Sequence, residues 1–363
     1  MIRLIYNRIF SILPPRPFKK LIAARLVYKK ALNFPIWGEG SVAENVDNAI
    51  NLLKAKCTLT KNSEYSIRTD MVYSYLVYGS TPLEYLLFDF ISKKHSQRKS
   101  FLTDKEKDIL SINNTGMDKF KTDLQDKYHF YQLLSEYFKR GVMKLDKNTT
   151  WNQFEEFCKH EQKCFIKPLN ASYGVGAMKY SYSVETCREL FDNLSLQLEG
   201  NSFIIEGLIE QDSKLSAFNE SSVNTVRLPT ILNKDGFHVI GPFLRTGRKG
   251  SIVDNGGGGG IFSAIDEKEG VIISNGCDEK GNHYENHPDS QKKFVGFQIP
   301  EWHELLQIAE KAHSKMKGHK YIAWDFAYTP NGWVLIEGNW GQFLSQFATG
   351  KGLRKRFEKL MNN

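Results

Sequence analysis

The sequence has 363 residues but no run of about eighteen apolar residues, the length that a membrane-spanning helix needs. It also starts without the long apolar core and small-residue cleavage site of a secretory signal peptide. Its cysteines are few, odd in number and without paired spacing: Cys57, Cys158, Cys164, Cys187 and Cys277. Because such a set does not make a disulfide framework, a reducing cytoplasm is the expected location.

Acidic residues are absent before Glu39, whereas the first thirty residues contain eight lysines and arginines. This segment supplies the whole net charge of +8, because basic and acidic residues balance in the rest of the chain. Its interleaved apolar residues indicate a segment that lies on an anionic membrane surface, at the inner face of the membrane. A helical hairpin that packs on the body of the protein is an equally good interpretation. Nucleic acid is not an expected partner, because no recognisable reading motif is present.

A chain of this length has room for two or more lobes. Residues 1–118 are predicted to form a mainly helical, basic N-terminal region. Pro82 is expected in the first turn of a helix, and residues 111–116 are expected to form a loop. Another helix is predicted over residues 126–138, before a part of the chain in which strands dominate.

Residues 321–339 predict a β-hairpin whose turn is Pro-Asn-Gly at residues 330–332. Residues equally far from the middle of this turn should face each other, which places Asp325 opposite Glu337. Asn339 joins them, because side chains two apart share one face of a strand. The other face is expected to be core and to contain Trp324, Phe326, Tyr328, Val334 and Ile336.

The paired carboxylates predict a metal site. Directly opposed carboxylates lie about 5 Å apart at Cβ and repel each other unless they share a cation. Mg²⁺ binds oxygen ligands at about 2.1 Å and typically uses one or two carboxylates plus phosphates. We therefore expect Asp325, Glu337 and Asn339 to be metal ligands. In the alternative interpretation, water or Lys and Arg side chains satisfy the acids; a longer turn would also move Glu337 to the other face.

Two earlier segments have features of a nucleotide site. Lys167 ends a predicted strand and precedes a glycine-containing loop at residues 169–176, whose backbone N–H groups are suited to phosphate. The loop lacks the Gly-Lys-Ser/Thr of a Walker motif, and a purely structural turn is the alternative. Glu206 and Glu210 end a buried strand, where they either bind a nucleotide or simply face solvent.

In sequence order, these candidates resemble the ATP-grasp superfamily: Lys167, the glycine loop, Glu206, Glu210, Arg227, Asp325, Glu337 and Asn339. The similarity is closest to the sugar-transfer-associated branch, through the phrases at residues 223–227, 253–260, 287–289, 299–302, 324–327 and 336–339. The resemblance implies an α+β ATP-grasp fold in which two α+β subdomains clamp ATP. Residues 119–205 would form a lid subdomain with a phosphate flap, and residues 206–363 would form a catalytic subdomain with the metal site.

The resemblance also implies roles for individual residues. The ATP cradle would consist of Lys127 and Lys167 at the α- and β-phosphates, Ser172, Gly174 and Gly176 in the flap, Glu206 at the adenine and Glu210 at the ribose. One or two Mg²⁺ ions would be held by Asp325, Glu337 and Asn339. Arg227 would neutralise charge on the transferring phosphoryl group.

The second substrate has a candidate site around the glycine run at residues 256–260. Arg245, Arg248, Asp254 and Asn255 lie close to this run in sequence and suit a carboxylate, a phosphate or sugar hydroxyls. We assign Arg245 and Asn255 to catalysis together with Arg227. A flexible solvent loop is the alternative interpretation of the glycine run.

Three further residues have weaker signals. His287 either orients a substrate, acts as a base or occupies an ordinary surface turn before Pro288. A zinc site at Cys277, His283 and His287 is poorly supported, because one thiol and two distant imidazoles do not match a typical ligand spacing.

The resemblance implies an ATP-dependent carboxylate–amine ligase that forms an amide through an acyl phosphate and releases ADP. The branch indicates a uronic acid or amino acid substrate in surface polysaccharide biosynthesis, with a free or glycan-linked carboxylate and an amine as reactants. Two alternatives remain open: an ATP-grasp kinase that phosphorylates a sugar or polyol hydroxyl, and a catalytically silent, membrane-peripheral binding protein.

Overall fold

The computed structural model describes residues 16–37, 40–169, 176–199, 202–254, 256 and 259–363. The candidate residues Ser172, Gly174 and Asn255 lie outside this part of the chain, as do the first fifteen residues. No helix in the described part combines the length and hydrophobicity that a membrane-spanning helix requires.

The chain divides into two compact units. The first contains the described residues up to Leu110, together with Lys280–Asn282 and Thr349–Asn362. The second contains Ser111–Glu279, His283–Ala348 and Asn363. The first unit is helical and the second contains two antiparallel sheets, so the predicted α+β fold with a helical N-terminal region is confirmed.

The described helices occur before, between and after the strands. They are α1 Arg16–Tyr28, α2 Val42–Lys54, α3 Lys61–Tyr78, α4 Pro82–Leu87, α5 His95–Arg98, α6 Asp104–Thr115, α7 Met117–Phe120, α8 Lys127–Phe138, α9 Trp151–Glu161, α10 Val184–Ser195, α11 Ser213–Ser216, α12 Trp302–Lys315, α13 Leu344–Thr349 and α14 Arg354–Asn362. A π-helical turn at Lys121–Gln125 follows α7.

Local sequence explains where several helices begin and end. Thr81 caps α4, because its hydroxyl accepts from the Glu84 N–H while the Glu84 carboxylate accepts from the Thr81 N–H, and Pro82 occupies the first turn as predicted. The predicted loop at residues 111–116 is wrong, because α6 continues to residue 115. Asn113 and Asn114 of α6 are exposed to solvent, so they are compatible with a helix. The helix ends at Gly116, whose φ is 84°.

In the described part of the chain, the smaller sheet has four strands: β1 Val142–Leu145, β2 Lys163–Pro168, β3 Met178–Ser181 and β4 Phe203–Gly207, in the order β1-β4-β2-β3. One face packs in a core with α9 and α10 that includes three fully buried, free thiols, those of Cys158, Cys164 and Cys187. The opposite face carries Lys167 and Glu206, because β2 and β4 pair with Phe165 opposite Glu206 and Lys167 opposite Ile204.

The larger sheet has eight strands among the described residues: β5 Thr225–Asn233, β6 Gly236–Val239, β7 Phe243–Thr246, β8 Ile261–Ala264, β9 Gly276–Cys277, β10 His283–Tyr284, β11 Tyr321–Thr329 and β12 Gly332–Asn339. Its order is β10-β9-β8-β7-β5-β11-β12, with β6 also pairing with β5. The face that contains Trp324 packs on helix α12, where the Trp324 indole donates to Thr230 at 2.7 Å and Thr230 contacts His313 at 2.8 Å.

In the hairpin of β11 and β12, Asp325 lies opposite Glu337 as predicted, but the turn and the strand register between them differ from the prediction. Thr329 pairs with Gly332, so the connection has two residues, and a β-bulge next to Asp325 inserts Ile336 and restores the expected register. Residues 333–335, between the turn and the bulge, therefore have their side chains on the opposite face of the sheet from the one predicted. The prediction that Val334 lies on the Trp324 face is therefore wrong, because Val334 pairs with Ala327.

Candidate active site

A row of charged side chains crosses three neighbouring strands of the larger sheet. On β11, Asp325 pairs with Arg227 of β5 on one side and with Glu337 of β12 on the other. Cross-strand partners project from the same face of a sheet, so one guanidinium and two carboxylates lie side by side. Asn339 belongs to the same row, because it pairs with Ala323, two residues before Asp325.

Asp325 is almost completely buried, with 1% of its surface exposed, and arginines bind both of its oxygens. The Arg227 Nε donates to Oδ1, and another Arg227 nitrogen donates to Oδ2 at 2.9 Å. Arg245 also contacts Oδ2, at 2.8 Å. Burial alone would raise the pKa of Asp325, but the charges of Arg227 and Arg245 outweigh it and hold this pKa below its ordinary value. In this structure Asp325 thus follows the alternative interpretation of the sequence, in which basic side chains neutralise the acid.

Glu337 differs from its neighbour. It is half-buried, accepts a long hydrogen bond from the Asn339 amide at 3.4 Å, and lies within hydrogen-bonding reach of the Asp325 carboxyl group. Burial and the negative charge of Asp325 raise the pKa of Glu337 above its ordinary value, against the opposing charge of Lys167. The Asn339 Oδ1 accepts from Arg227 at 2.6 Å, which orients the amide toward Glu337. A cation would therefore stabilise Glu337 in its charged form.

The chemistry of these donors fits Mg²⁺. Two carboxylates and an amide are hard oxygen ligands, and Mg²⁺ commonly fills its other positions with water and phosphate oxygens. Oδ2 of Asp325 contacts both arginines, and Oδ1 accepts from Arg227. Glu337 and Asn339 are both partly exposed. They would be the more accessible ligands, with Asp325 as the third.

Arg245 and Thr225 connect this row to the start of the glycine run. Two Arg245 nitrogens donate to the Thr225 hydroxyl, at 3.0 and 2.8 Å. The Thr225 hydroxyl and N–H both donate to Asp254, at 2.5 and 3.0 Å. The negative charges of Asp254 and Asp325 raise the pKa of Arg245 even though burial opposes this. Arg245 is thus permanently cationic beside Asp325.

Lys167 and Glu206 are diagonal neighbours on one face of the smaller sheet. The Lys167 ammonium lies 2.5 Å from Glu206 Oε1, and Arg140 binds Oε2. Burial opposes ionisation of Glu206, but Lys167 and Arg140 lower its pKa to about 2. Because both oxygens are engaged by cations, Glu206 is placed to hold Lys167 and Arg140 rather than to accept from an adenine.

Lys127 begins α8 and donates to the Leu169 carbonyl at 3.1 Å. Burial and the like charge of Lys167 lower the pKa of Lys127, whereas Glu337 and Glu206 act in the opposite sense. Four candidates from different elements are therefore close enough to interact electrostatically: Lys127, Lys167, Glu206 and Glu337. A lysine whose charge is disfavoured by another cation gains most from a bound anion such as phosphate.

The remaining candidates are less closely connected. Glu210 is exposed and forms a surface ion pair with Lys163 at 2.9 Å. Gly176 has a φ of 71°, in the left-handed region that favours glycine, at the described end of the flap. Ser172, Gly174 and Asn255 were predicted from sequence and lie outside the described residues.

The structure corrects the expected surface position of His287. His287 is fully buried and contacts the Gly247 carbonyl at 2.9 Å, so it supports a loop and is not positioned as a base. Cys277 lies 3.2 Å from the His283 ring. Among the described residues, no group of three or more His, Cys, Asp or Glu side chains is arranged for a metal ion.

Sequence reasoning missed Arg140. The sequence did indicate that Glu206 needs a basic partner, because it is the only charged residue in the apolar strand Phe203–Gly207. A carboxylate at a buried strand position needs paired cations, and Lys167 is only one of the two that it has here.

Comparison with known proteins identifies the family. The model of the sugar-transfer associated ATP-grasp family matches residues 119–362, which is more than half of the chain. A comparison with curated proteins finds no match.

Several solved structures are similar at low identity. D-alanyl-alanine synthetase A from Vibrio cholerae O1 biovar eltor str. N16961 is 13% identical with a TM-score of 0.38, over 69% of this chain and 67% of that chain. The D-alanine-D-alanine ligase from Coxiella burnetii is 11% identical with a TM-score of 0.40, over 66% and 56%. The VanG D-Ala:D-Ser ligase from Enterococcus faecalis is 13% identical with a TM-score of 0.42, over 69% of each chain. The chain spans only part of the length of each of these enzymes.

The matched residues include the two lysines, the row across β5, β11 and β12, and the glycine run, in the order that the sequence motifs indicated. ATP-grasp proteins include ATP-dependent ligases, and the superfamily uses ATP. The chain belongs to the sugar-transfer associated ATP-grasp family.

Proposed function

We propose that this protein is an ATP-dependent carboxylate–amine ligase. A carboxylate oxygen of the acid would attack the γ-phosphorus of ATP, and ADP would leave. The nitrogen of an amine would then attack the acyl carbon, releasing phosphate, and the amine would lose a proton as the amide forms. Splitting the condensation in this way replaces one difficult step by two easier displacements.

One observation carries the proposal. Lys127 and Lys167 interact electrostatically with Glu337, so the cations suited to phosphate and the oxygen ligands suited to Mg²⁺ lie at one place. Phosphoryl transfer needs mainly positioning and charge stabilisation, which such a set supplies without a protein nucleophile.

The described candidates that lie close together have separate roles in this proposal. Lys127 and Lys167 would bind ATP phosphates, and Glu337 and Asn339, with Oδ1 of Asp325, would hold Mg²⁺. When bound, Mg²⁺ supplies charge neutralisation at the transferring phosphoryl group. Arg227 and Arg245 would place positive charge beside the acid and its developing phosphate, because both guanidinium groups lie next to Asp325.

The substrate proposal follows the family description. Association with sugar transfer favours a uronic acid or an amino acid that becomes part of a surface glycan. We also retain residues 119–205 as the lid subdomain and residues 206–363 as the catalytic subdomain. The smaller sheet with Lys167 lies almost wholly in the first range, and the charged row lies in the second.

A second proposal concerns attachment to a membrane surface. Phe18, Leu21 and Tyr28 of α1 are exposed to 48%, 68% and 78% and lie on one face of the helix by their spacing. Arg25 and Lys29 are exposed beside them. An apolar stripe flanked by basic residues suits the interface of an anionic bilayer. The packing of α1 on α3, with the Tyr65 hydroxyl donating to the Ala24 carbonyl at 3.1 Å, leaves this face uncovered by α3.

The ligase proposal is tested by incubating the purified protein with Mg-ATP and a panel of uronic acids or amino acids, with and without amines. ADP release should require both reactants, and hydroxylamine should convert the acyl phosphate into a hydroxamate. A phosphate ester formed without an amine would indicate a kinase instead. Absence of any stabilisation by Mg-ATP in a thermal unfolding scan would support the silent binding protein.

A further inference from the structure

Arg140 joins the two sheets that carry the candidate ATP and metal residues. It lies between α8 and β1, and its Nε donates to Glu206 Oε2 at 3.1 Å, with a second nitrogen bound to the same oxygen. Its third nitrogen donates to the carbonyl oxygens of Leu335, at 2.8 Å, and Phe138, at 3.2 Å. One guanidinium therefore contacts both β4 of the smaller sheet and β12 of the larger sheet.

The contact on β12 lies beside the bulge. Leu335 pairs with Phe326, and Glu337 pairs with Asp325, so Ile336 is the inserted residue between them. β12 is the last strand in the sheet order, so none of the described strands pairs with its outer edge. A hydrogen bond to the Leu335 carbonyl thus restrains the backbone two residues before the candidate metal ligand Glu337.

The contact on β4 connects with the phosphate candidates. Glu206 is bound on one oxygen by Arg140 and on the other by Lys167. Charged hydrogen bonds of this kind are short and directional, and the guanidinium is planar, so the three side chains have little freedom to shift independently. The chain of contacts runs from Lys167 through Glu206 and Arg140 to the backbone of β12.

We propose that Arg140 is a positioning residue that couples ATP binding at Lys167 to the metal ligands on β12. The inference rests on the proposed use of Mg-ATP. By fixing β4 relative to β12, Arg140 sets the separation between the phosphate-binding ammonium of Lys167 and the carboxylate of Glu337. Lysine at this position keeps the charge but is a single point donor, so it cannot reach Glu206 and the Leu335 carbonyl in the same geometry.

The test compares Arg140→Lys with wild type in equilibrium binding of a fluorescent ATP analogue, with Mg²⁺ titrated. We expect the variant to lose about tenfold in affinity for the Mg-nucleotide, with a smaller loss when Mg²⁺ is absent. The matched control is Arg188→Lys, at an exposed arginine of the same region whose ion pair with Asp192, at 3.1 Å, contacts no candidate residue. The control should bind as wild type does.

The outcomes separate the two proposals. If wild type itself shows no Mg-dependent binding, the proposed function fails. If wild type binds and Arg140→Lys binds equally well, the coupling is overturned even if the variant melts at a lower temperature. Should Arg140→Lys not fold, amide hydrogen exchange of wild type replaces it. Nucleotide without Mg²⁺ should then increase protection in β12, and unchanged protection there would refute the coupling.

Discussion

Arg227 binds Asp325 in a bidentate pair across β5 and β11, with Nε on Oδ1 and a terminal nitrogen on Oδ2 at 2.9 Å. The same guanidinium donates to Asn339 at 2.6 Å, so one arginine orients two of the three candidate metal ligands. Asp325 is therefore the counter-ion of buried arginines as well as a proposed metal ligand. The consequences of removing it differ from those of removing Glu337.

Asp325→Asn should strongly destabilise the protein. Arg227 and Arg245 would remain buried without their shared carboxylate, and breaking a buried ion pair typically costs about 3–5 kcal/mol. Urea unfolding followed by tryptophan fluorescence measures the loss. The matched control is Asp192→Asn, which breaks an exposed pair with Arg188 and should cost about 0–1 kcal/mol. Equal stability of Asp325→Asn and wild type would contradict the assigned pairing.

Glu337→Gln should abolish turnover while the fold is retained. Volume is kept, and loss of a carboxylate whose ionisation is opposed by Asp325 relieves a repulsion, so the melting temperature should stay equal or rise. Removing a group that holds the transition-state charge in place typically costs at least about a hundredfold in kcat. Glu189→Gln, on the exposed side of α10, is the control for a charge change alone. Wild-type kcat in Glu337→Gln would show that Glu337 is not a metal ligand.

Glu206 should make stability depend on pH in a defined window. Its pKa is lowered from 4.5 to about 2 in the folded protein, so its stabilising effect is fully present above about pH 4.5 and is lost as the pH falls toward 2. A shift of this size corresponds to about 3 kcal/mol. The difference in unfolding free energy between wild type and Glu206→Gln should therefore shrink on acidification. A difference that stays constant from pH 7 to pH 3 would mean that Lys167 and Arg140 do not lower this pKa.

The exposed stripe of α1 should determine membrane attachment. Replacing Phe18, Leu21 and Tyr28 by serine should remove the protein from floating vesicles that contain anionic lipid. Raising the salt concentration should release wild type, because the basic residues act through a screened charge. Leu196→Ser, at a similarly exposed apolar residue after α10, should have no effect. Equal flotation with neutral vesicles, or retention by the serine variant, would exclude this surface.

Sequence reasoning was most successful where periodicity and turn chemistry act locally. Asp325 and Glu337 were placed opposite each other from the turn alone, and the structure confirms the pair. The pairing required two compensating irregularities, a shorter connection and an inserted Ile336, which a local pattern does not distinguish from a regular hairpin. The orientation of Val334, which depends on where the bulge occurs, was therefore wrong.

Contacts between distant segments were less accessible. Glu206 was placed on its strand correctly, but its partners Lys167 and Arg140 come from two other segments, 39 and 66 residues away. The same limit applies to Asp325, whose arginines come from β5 and β7. Sequence motifs identified these residues as chemically relevant, whereas only the folded chain shows which charges neutralise each other.

The buried thiols in the core of the smaller sheet provide a measure of its opening. Cys158, Cys164 and Cys187 are fully enclosed, Cys277 is also buried, and Cys57 is exposed. A maleimide reagent should therefore label the native protein at a single position without any engineering. Slower modification of the other sulfurs would report transient loosening of the α9–α10 layer, and its rate with and without nucleotide would show how firmly a bound ligand keeps that layer closed.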